Sequence, residues 1–591
     1  MDNKDKSKDN LNPEQQFSDF IEAGKKVTSS IMDNFPSFIN ISSDLMSVNA
    51  ALMNLVQNDE KKENLEKVQE QYFDYLKKHF TLWQKFSTKK NGEKIEPVIT
   101  PSVTDGRFKA EEWNDNSNFD FIKQSYLLMS ELINNLTETV DIDAEEKNKL
   151  SFFTKQYIDA IAPTNFAFTN PEVLKLAQET NGASLVDGFK NFIKDYEKGH
   201  ISQTDESAFE IGRNVAITPG TVIYENEIIQ LIQYLPTTKT VNQYPLLIIP
   251  PCINKYYILD LQPHNSFVKY AVDNGNTVFL ISWRNPSKEM TPFTFDDYIN
   301  DGIFKAVDAV KSITKAKKIN ALGYCIGGTI LGVAASAYKK KKKAPFNSLT
   351  FLASMLDFSD IGPVNVFVDE KWISTLEKEL KKEGILDGRK LANTFNLLRP
   401  NDLIWSYVVN NYLKGKEPRP FDILYWNGDS TNLPGNMYAY YLRHMCLNNE
   451  LIVKDKLTIA GEKIDLGNID NPAYIVSCKE DHISPFRTNF NTTELLSGTC
   501  EFILSGSGHV AGIVNPPEKS KRGYLTDGEL TKGVDHWLST AKENEGSWWI
   551  HWINWINKIS EKQISAIYNI GNEDYPPVEP SPGKYVKVSY K

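Results

Sequence analysis

Lys317-Lys318-Ile319-Asn320-Ala321-Leu322-Gly323-Tyr324-Cys325-Ile326-Gly327-Gly328-Thr329-Ile330-Leu331-Gly332-Val333-Ala334-Ala335 passes from a short apolar run into a stretch of small residues across a Gly-x-Cys-x-Gly turn. The first part reads as a buried strand, and the part from Gly327 as a helix whose small side chains allow close packing on a sheet. The glycines flanking Cys325 permit a sharp elbow that presents the cysteine at its apex, where such turns usually carry a nucleophilic serine. The N-terminal end of the following helix favours a thiolate there. A cysteine between glycines also fits a plain packing position, so partners elsewhere in the chain have to decide the chemistry.

An elbow nucleophile calls for an acid and then a histidine, each in a loop after a later strand. Pro472-Ala473-Tyr474-Ile475-Val476-Ser477 reads as a short apolar strand, followed by Glu480-Asp481-His482 in a polar turn closed by Pro485. Glu501-Phe502-Ile503-Leu504 reads as the next strand and runs into Ser505-Gly506-Ser507-Gly508-His509, whose small residues let the loop fold back. Asp481 is the candidate acid and His509 the candidate base. Glu480 is the rival acid, and His482, His536 and His551 are the weaker bases among eight histidines. The chain order Cys, Asp, His is that of an α/β-hydrolase fold and points to covalent acyl transfer. The fold predicts one oxyanion donor at the backbone N–H of Ile326 and a second in the loop after the Leu246 strand, at Cys252 or Ile253. Cys252 is expected there for its backbone or as a small buried residue, not as a second nucleophile.

Outward from this site the chain changes character. From Phe17 to about Phe86, apolar positions such as Leu65, Val68, Tyr72, Tyr75, Leu76 and Phe80 recur every three or four residues, and Phe121, Tyr126, Met129, Leu132, Ile133 and Leu136 repeat the pattern. The expectation is a disordered 1–15, a mostly helical domain over 16–204, and a catalytic α/β domain over 205–591. Within the latter, Leu246-Leu247-Ile248-Ile249 and Thr277-Val278-Phe279-Leu280-Ile281 are continuous apolar runs, as strands covered on both faces should be. More than a hundred residues separate the Ser348–Leu352 strand from the acid strand, which predicts an inserted cap or lid over about 355–470. Trp405, Tyr425 and Trp426 are expected to pack this cap, the alternative being that some line an acyl channel or the exit path of a product. Gly546-Ser547-Trp548-Trp549 with Trp552 and Trp555 is expected to pack the domain.

Composition excludes several classes. Five cysteines without metal-like spacing indicate neither a disulfide framework nor a zinc site, and a free thiol nucleophile requires a reducing compartment. The charged Met1–Lys6 segment has no apolar core, and no run of about eighteen apolar residues exists, so a cytoplasmic protein without a transmembrane span is expected. The net charge of -10 argues against nucleic-acid binding. The Lys339–Lys343 run is expected at the solvated C-terminal end of the elbow helix, where cations suit the dipole.

Beyond the triad, the chain from about Asp105 to its end closely resembles the polyhydroxyalkanoate synthases of the class I, short-chain type. The resemblance is carried by Pro250-Pro251-Cys252-Ile253-Asn254-Lys255-Tyr256-Tyr257-Ile258-Leu259-Asp260-Leu261, by Ser282-Trp283-Arg284-Asn285-Pro286 and by Gly323–Thr329. Leu398-Arg399-Pro400-Asn401-Asp402-Leu403-Ile404-Trp405, Trp426-Asn427-Gly428-Asp429, Glu480–Ile483 and Gly508–Gly512 extend it. It implies Cys325, Asp481 and His509 as the triad, (R)-3-hydroxyacyl-CoA as substrate, a growing polyester as product and coenzyme A as leaving group, with no resident cofactor or metal. For the helical domain it implies a part in homodimer formation, attachment to the polymer granule and binding of accessory proteins. Arg399 and Arg284 are the candidate contacts to coenzyme A, against a salt-bridging role for each. The triad alone fits a thioesterase or polyester depolymerase as well; the family stretches and the long cap favour the synthase.

Overall fold

The computed structural model describes residues 62–89, 95–519 and 522–589. The segment expected to be disordered, 1–15, and the start of the helical pattern at Phe17 lie outside them. The chain divides into two compact units. The first takes the residues up to Gln203 together with Asn393–Arg419, and the second takes Thr204–Ala392 and the chain from Pro420 onward. The stretch expected as one cap is thus shared between the units.

The first unit is helical, with α1 (Lys62–Ser87), α2 (Ser117–Thr139), α3 (Ala144–Ala160) and α4 (Ala183–Lys198) as its longest elements. Asp143 caps α3 by accepting from the N–H groups of Glu145 and Glu146. One apolar stripe of each helix goes inward: Tyr126 and Ile133 of α2 and Phe153 of α3 meet Trp113, Leu397, Ile404 and Trp405 in a single core. Trp405 therefore packs in this unit. Val68 and Tyr75 of α1 lie on Leu132 and Leu136. The same periodic pattern leaves Phe73 68%, Phe80 62% and Phe189 63% exposed, so part of the apolar repeat on α1 and α4 faces water.

The second unit is built on one eleven-stranded sheet. Its strands are β1 (Gly220–Glu225), β2 (Ile229–Tyr234), β3 (Leu246–Ile249), β4 (Val278–Trp283), β5 (Ile319–Tyr324) and β6 (Phe346–Leu352). They continue with β7 (Ala473–Cys478), β8 (Cys500–Ser505), β9 (Tyr524–Thr526), β10 (Lys542–Asn544) and β11 (Glu579–Pro580). The spatial order is β10-β9-β8-β7-β6-β5-β3-β4-β2-β1-β11. The central strands β4, β3, β5, β6, β7 and β8 pair in parallel, and antiparallel strands close both edges. Every residue of β3, β4 and β5 is buried, which is why β3 and Val278–Ile281 of β4 read as unbroken apolar runs and not as alternating ones. The order crosses over at β3, which lies between β4 and β5, so the loops leaving β3 and β5 come out side by side at the carboxyl edge of the sheet. This is the α/β-hydrolase arrangement expected from the sequence.

Two helices complete the frame. The elbow helix α5 (Ile326–Lys340) follows β5, and at its C-terminal end Lys339 and Lys340 pair with Asp470 and Asp455. The C-terminal helix α6 (Trp548–Ile559) buries Trp548, Trp549 and Trp552 in the main core. Their indole N–H groups are all satisfied, at Gly512 O (2.9 Å), Ile513 O (2.9 Å) and Thr350 Oγ1 (3.1 Å). The tryptophan cluster packs the domain, and two of its three hydrogen bonds hold the loop after β8.

Candidate active site

Cys325 stands between β5 and α5 with φ 53° and ψ −128°, a conformation that a residue with a side chain adopts only when its surroundings force it. The forcing contacts are backbone ones. The Cys325 N–H donates to Leu352 O at 2.9 Å, and the Cys325 carbonyl accepts from the Gly328 N–H at 2.9 Å. The two flanking glycines are required for space: a Cβ on Gly323 would stand 2.4 Å from the Gly328 Cα, and one on Gly327 would stand 2.3 Å from Ile249 O. The Gly-x-Cys-x-Gly signature is thus the signature of a helix start pressed against β5 and the end of β3. Cys325 itself is only partly buried.

His509 and Asp481 come from the loops after β8 and β7. The Nδ1 of His509 lies 2.7 Å from Asp481 Oδ2, with side-chain exposures of 8% and 0%. An ionised carboxylate only accepts, so Nδ1 carries the proton and Nε2 is the nitrogen left for other work. Asp481 Oδ1 is occupied separately, accepting from the N–H groups of Ile483 and Ser484 at 2.9 Å each. Burial by itself would lower the His509 pKa. The Asp481 carboxylate, which is also a hydrogen-bond partner of the ring, and the Cys325 sulfur nearby outweigh it and hold the imidazole well above its ordinary value of 6.5. Cys325, His509 and Asp481 are therefore brought together in one place, with His509 bonded to Asp481 and facing the charge of the Cys325 sulfur.

Tyr324 supports this chain, a role that sequence reasoning missed. Its ring stacks on His509 at 5.5 Å, and its hydroxyl donates to the His509 carbonyl at 3.2 Å. Its place beside the nucleophile was the available signal. The rival residues are engaged elsewhere: Glu480 is exposed, His536 bonds Glu529 at 2.8 Å, and His551 bonds Tyr474 Oη at 2.8 Å. His482 sits in the acid loop beside Asp481 but does not replace His509 as its partner. Cys252 is buried, and burial, then the proximity of Cys325, pushes its thiol pKa far up, so it stays protonated.

The expected oxyanion donors occupy the adjoining loops. Ile326 is the first residue of α5, and neither its N–H nor that of Ile253 donates to any protein acceptor among the described residues. The loop carrying Cys252 and Ile253 is held by several side chains. Trp283 Nε1 donates to Pro250 O at 2.9 Å, Trp426 Nε1 to Lys255 O at 2.6 Å, and Lys255 pairs with Asp429 at 2.8 Å. Three stretches that looked merely shared with a family, Pro250–Leu261, Ser282–Pro286 and Trp426–Asp429, thus form one network around the loop after β3.

The two arginines expected to meet coenzyme A are both paired. Arg284 reaches Glu289 at 3.4 Å and lies over the Tyr585 ring. Arg399 belongs to the first unit and pairs with Asp402 at 2.5 Å. There it lines a cavity of about 680 Å³ whose other cations are also matched, Arg107 by Asp105 and Asp159, Lys414 by Glu172. Among the described residues no group of three or more His, Cys, Asp or Glu could hold a metal ion, and no helix is long and apolar enough to cross a membrane.

Two family models match the chain. Residues 104–271 match the poly-beta-hydroxybutyrate polymerase (PhaC) N-terminus, and residues 245–516 match the alpha/beta hydrolase fold. The chain is 45% identical over 519 residues to the poly(3-hydroxyalkanoate) polymerase subunit PhaC of Cupriavidus necator, covering 87% of each. It is 41% identical over 513 residues to the poly(3-hydroxyalkanoate) polymerase of Methylorubrum extorquens, covering 86% of this chain and 84% of the relative. With the PhaC subunit of Rhizobium meliloti the identity is 39% over 514 residues, with the same two coverages.

Proposed function

The chain belongs to the poly(3-hydroxyalkanoate) polymerase family, and from that premise we propose that it is a class I enzyme joining short (R)-3-hydroxyacyl groups, chiefly 3-hydroxybutyryl, from coenzyme A into a polyester through an acyl group carried on Cys325. The observation that carries this is the cysteine at the elbow with the His509–Asp481 pair at 2.7 Å beside it. His509 takes the Cys325 proton and the thiolate attacks the thioester carbonyl. The N–H groups of Ile326 and of Ile253 or Cys252 meet the oxyanion, the carbon–sulfur bond to coenzyme A breaks, and the departing thiolate takes the proton from His509. A thiol suits this step because one thioester replaces another and the acyl group stays activated. The hydroxyl of another monomer or of the chain end then gives its proton to His509 or Asp481 and attacks that thioester, which forms an ester and breaks the bond to sulfur, and the Cys325 thiolate takes that proton back. Water has to be kept out of this second step, and the long insertion between β6 and β7 is suited to that task. No resident cofactor takes part; coenzyme A is only the leaving group.

The apolar side chains that α1 and α4 hold in water, among them Phe73, Phe80, Trp83 and Phe189, support a second part of the proposal. They fit contact with a polymer granule or with a second subunit of a homodimer in the cytoplasm. The test of the catalytic reading is incubation with 3-hydroxybutyryl-CoA, following free coenzyme A with a thiol reagent and recovering the acyl product. Insoluble polymer is expected from the wild type, and Cys325→Ala should release no coenzyme A while unfolding at the same temperature. Free acid in place of polymer would make the protein a hydrolase, and a Cys325→Ala enzyme within tenfold of wild type would remove the nucleophile assignment.

A further inference from the structure

Thr431 is a buried residue of the insertion, two positions beyond Asp429 and outside every stretch that suggested a function. Its hydroxyl lies 2.8 Å from Cys252 O and 2.5 Å from Ile253 O, its one proton shared between the two carbonyls. These are successive carbonyls of the loop after β3. A trans peptide is planar, with its C=O and N–H pointing in opposite directions. Holding the Cys252 carbonyl toward Thr431 therefore turns the Ile253 N–H of the same peptide directly away from Thr431, and that N–H has no protein acceptor among the described residues. Residues on both sides of Thr431 keep it in register. Ser430 bridges Asn254 in antiparallel fashion, and Asp429 holds Lys255 at 2.8 Å and accepts from Tyr257 Oη at 2.9 Å. On the other side, the Asn432 N–H donates to Asn285 Oδ1 at 2.9 Å.

We propose that Thr431 is a positioning residue for acyl transfer: it orients the Cys252–Ile253 peptide so that the Ile253 N–H, with that of Ile326, receives the oxyanion formed when Cys325 attacks. This rests on the proposed Cys325 chemistry and deepens it, since it selects Ile253 over Cys252 as the second donor. The Cys252 N–H belongs to the preceding peptide, which Thr431 does not touch. The insertion then helps to assemble the catalytic site as well as to shield it. A loop bound only by its own turn would hold this peptide in several orientations, and a donor must be preorganised to count in the transition state.

Thr431→Val keeps the shape and removes the hydroxyl; Thr431→Ser keeps the hydroxyl. Losing one oxyanion donor costs about 100- to 1,000-fold in kcat, and loosening one should cost about 10- to 100-fold. The expected result for Thr431→Val is that fall in kcat for coenzyme A release, with KM changed less than about threefold and recovery to near wild type in Thr431→Ser. Alkylation of Cys325 by iodoacetamide forms no oxyanion, so its rate should be the same in all three proteins. A Thr431→Val enzyme with kcat within twofold of wild type overturns the inference, as does one that loses alkylation in step with kcat, or a serine variant no better than the valine one. If Cys325→Ala kept its activity, the catalytic reading would fail first; a dead Cys325→Ala beside a fully active Thr431→Val removes the inference alone.

Discussion

A histidine whose pKa stands well above the ordinary value holds a proton at pH values where most imidazoles have lost it, and His509 does so because a buried carboxylate and a sulfur face it. The sign follows from linkage. For a raised imidazole, the stabilising contribution is complete below the unfolded value near 6.5 and is lost as pH rises through the higher folded value. In that window the His509 imidazolium faces the Cys325 sulfur, and that pairing should set the rate at which Cys325 is alkylated. His509→Gln should lose the pairing, with its alkylation rate falling at least about tenfold near neutral pH. Equal alkylation rates for the two proteins would refute the pairing. Asp481→Asn should fold normally yet lose about three to four orders of magnitude in rate, because the amide no longer fixes the Nδ1–H tautomer or stabilises the cation. If Asp481→Asn acylates Cys325 readily but makes no polymer, the acid acts mainly on the incoming hydroxyl. Full activity would hand the role to Glu480, although that side chain is exposed. The meeting of Cys325, Asp481 and His509 was legible in the sequence because each sits where a strand ends and small or turn-forming residues begin. Arg399 and Arg284 were less so, since Asp402 and Glu289, three and five residues onward, engage them as ordinary ion pairs.

The central strands and the elbow could be read from local signals: unbroken apolar runs for β3 and most of β4, a short apolar stretch for β5, and glycines where helix and strand backbones touch. What could not be read was the joining of elements far apart in sequence. Thr431 reaches carbonyls 178 and 179 residues away, and no periodicity encodes such a pairing. The helical repeat on α1 likewise reveals an apolar face without saying how much of it is covered, and the structure leaves Phe73 and Phe80 in water. Toward the far end of the segment that Thr431 holds lies a buried carboxylate. Asp260 accepts from the hydroxyls of Thr218 and Ser266, yet burial pushes its pKa up to about 6 despite those hydrogen bonds. Here the folded state binds the proton more tightly than the unfolded chain, so stability falls as pH rises from about 4 to about 6 and does not recover above it. A rise of that size corresponds to roughly 3 kcal/mol. Asp260→Asn should flatten that part of the profile, measured as urea unfolding at a series of pH values. An unchanged slope would place the titration elsewhere.

The division into two units bears on how the whole chain can be cut. Leu397, Ile404, Trp405 and Val408 lie within the insertion of the catalytic domain in sequence, yet they are buried with Phe108, Trp113, Tyr126 and Phe153 in the core of the first unit. Removing residues up to Gln203 alone would strip these four side chains of their partners, at roughly 1.5–3 kcal/mol each, a sum comparable with the whole stability of a domain. Such a truncation should aggregate, for a reason unconnected with catalysis. A second truncation, which also replaces Asn393–Arg419 by a short flexible linker from Ala392 to Pro420, removes the first unit entirely and leaves Cys325, Asp481, His509 and Thr431 in place. It should stay soluble and react with iodoacetamide at the wild-type rate, because every group in the Cys325 site belongs to the second unit. It should also make less polymer, sediment as a smaller species and fail to co-sediment with granules, because the exposed stripes of α1 and α4 are gone. Sedimentation velocity and thiol labelling of the two truncations side by side decide the matter. Aggregation of both would show that the second unit does not fold alone. Full polymer yield, unchanged assembly and normal granule attachment in the second truncation would show that the first unit has no such part to play.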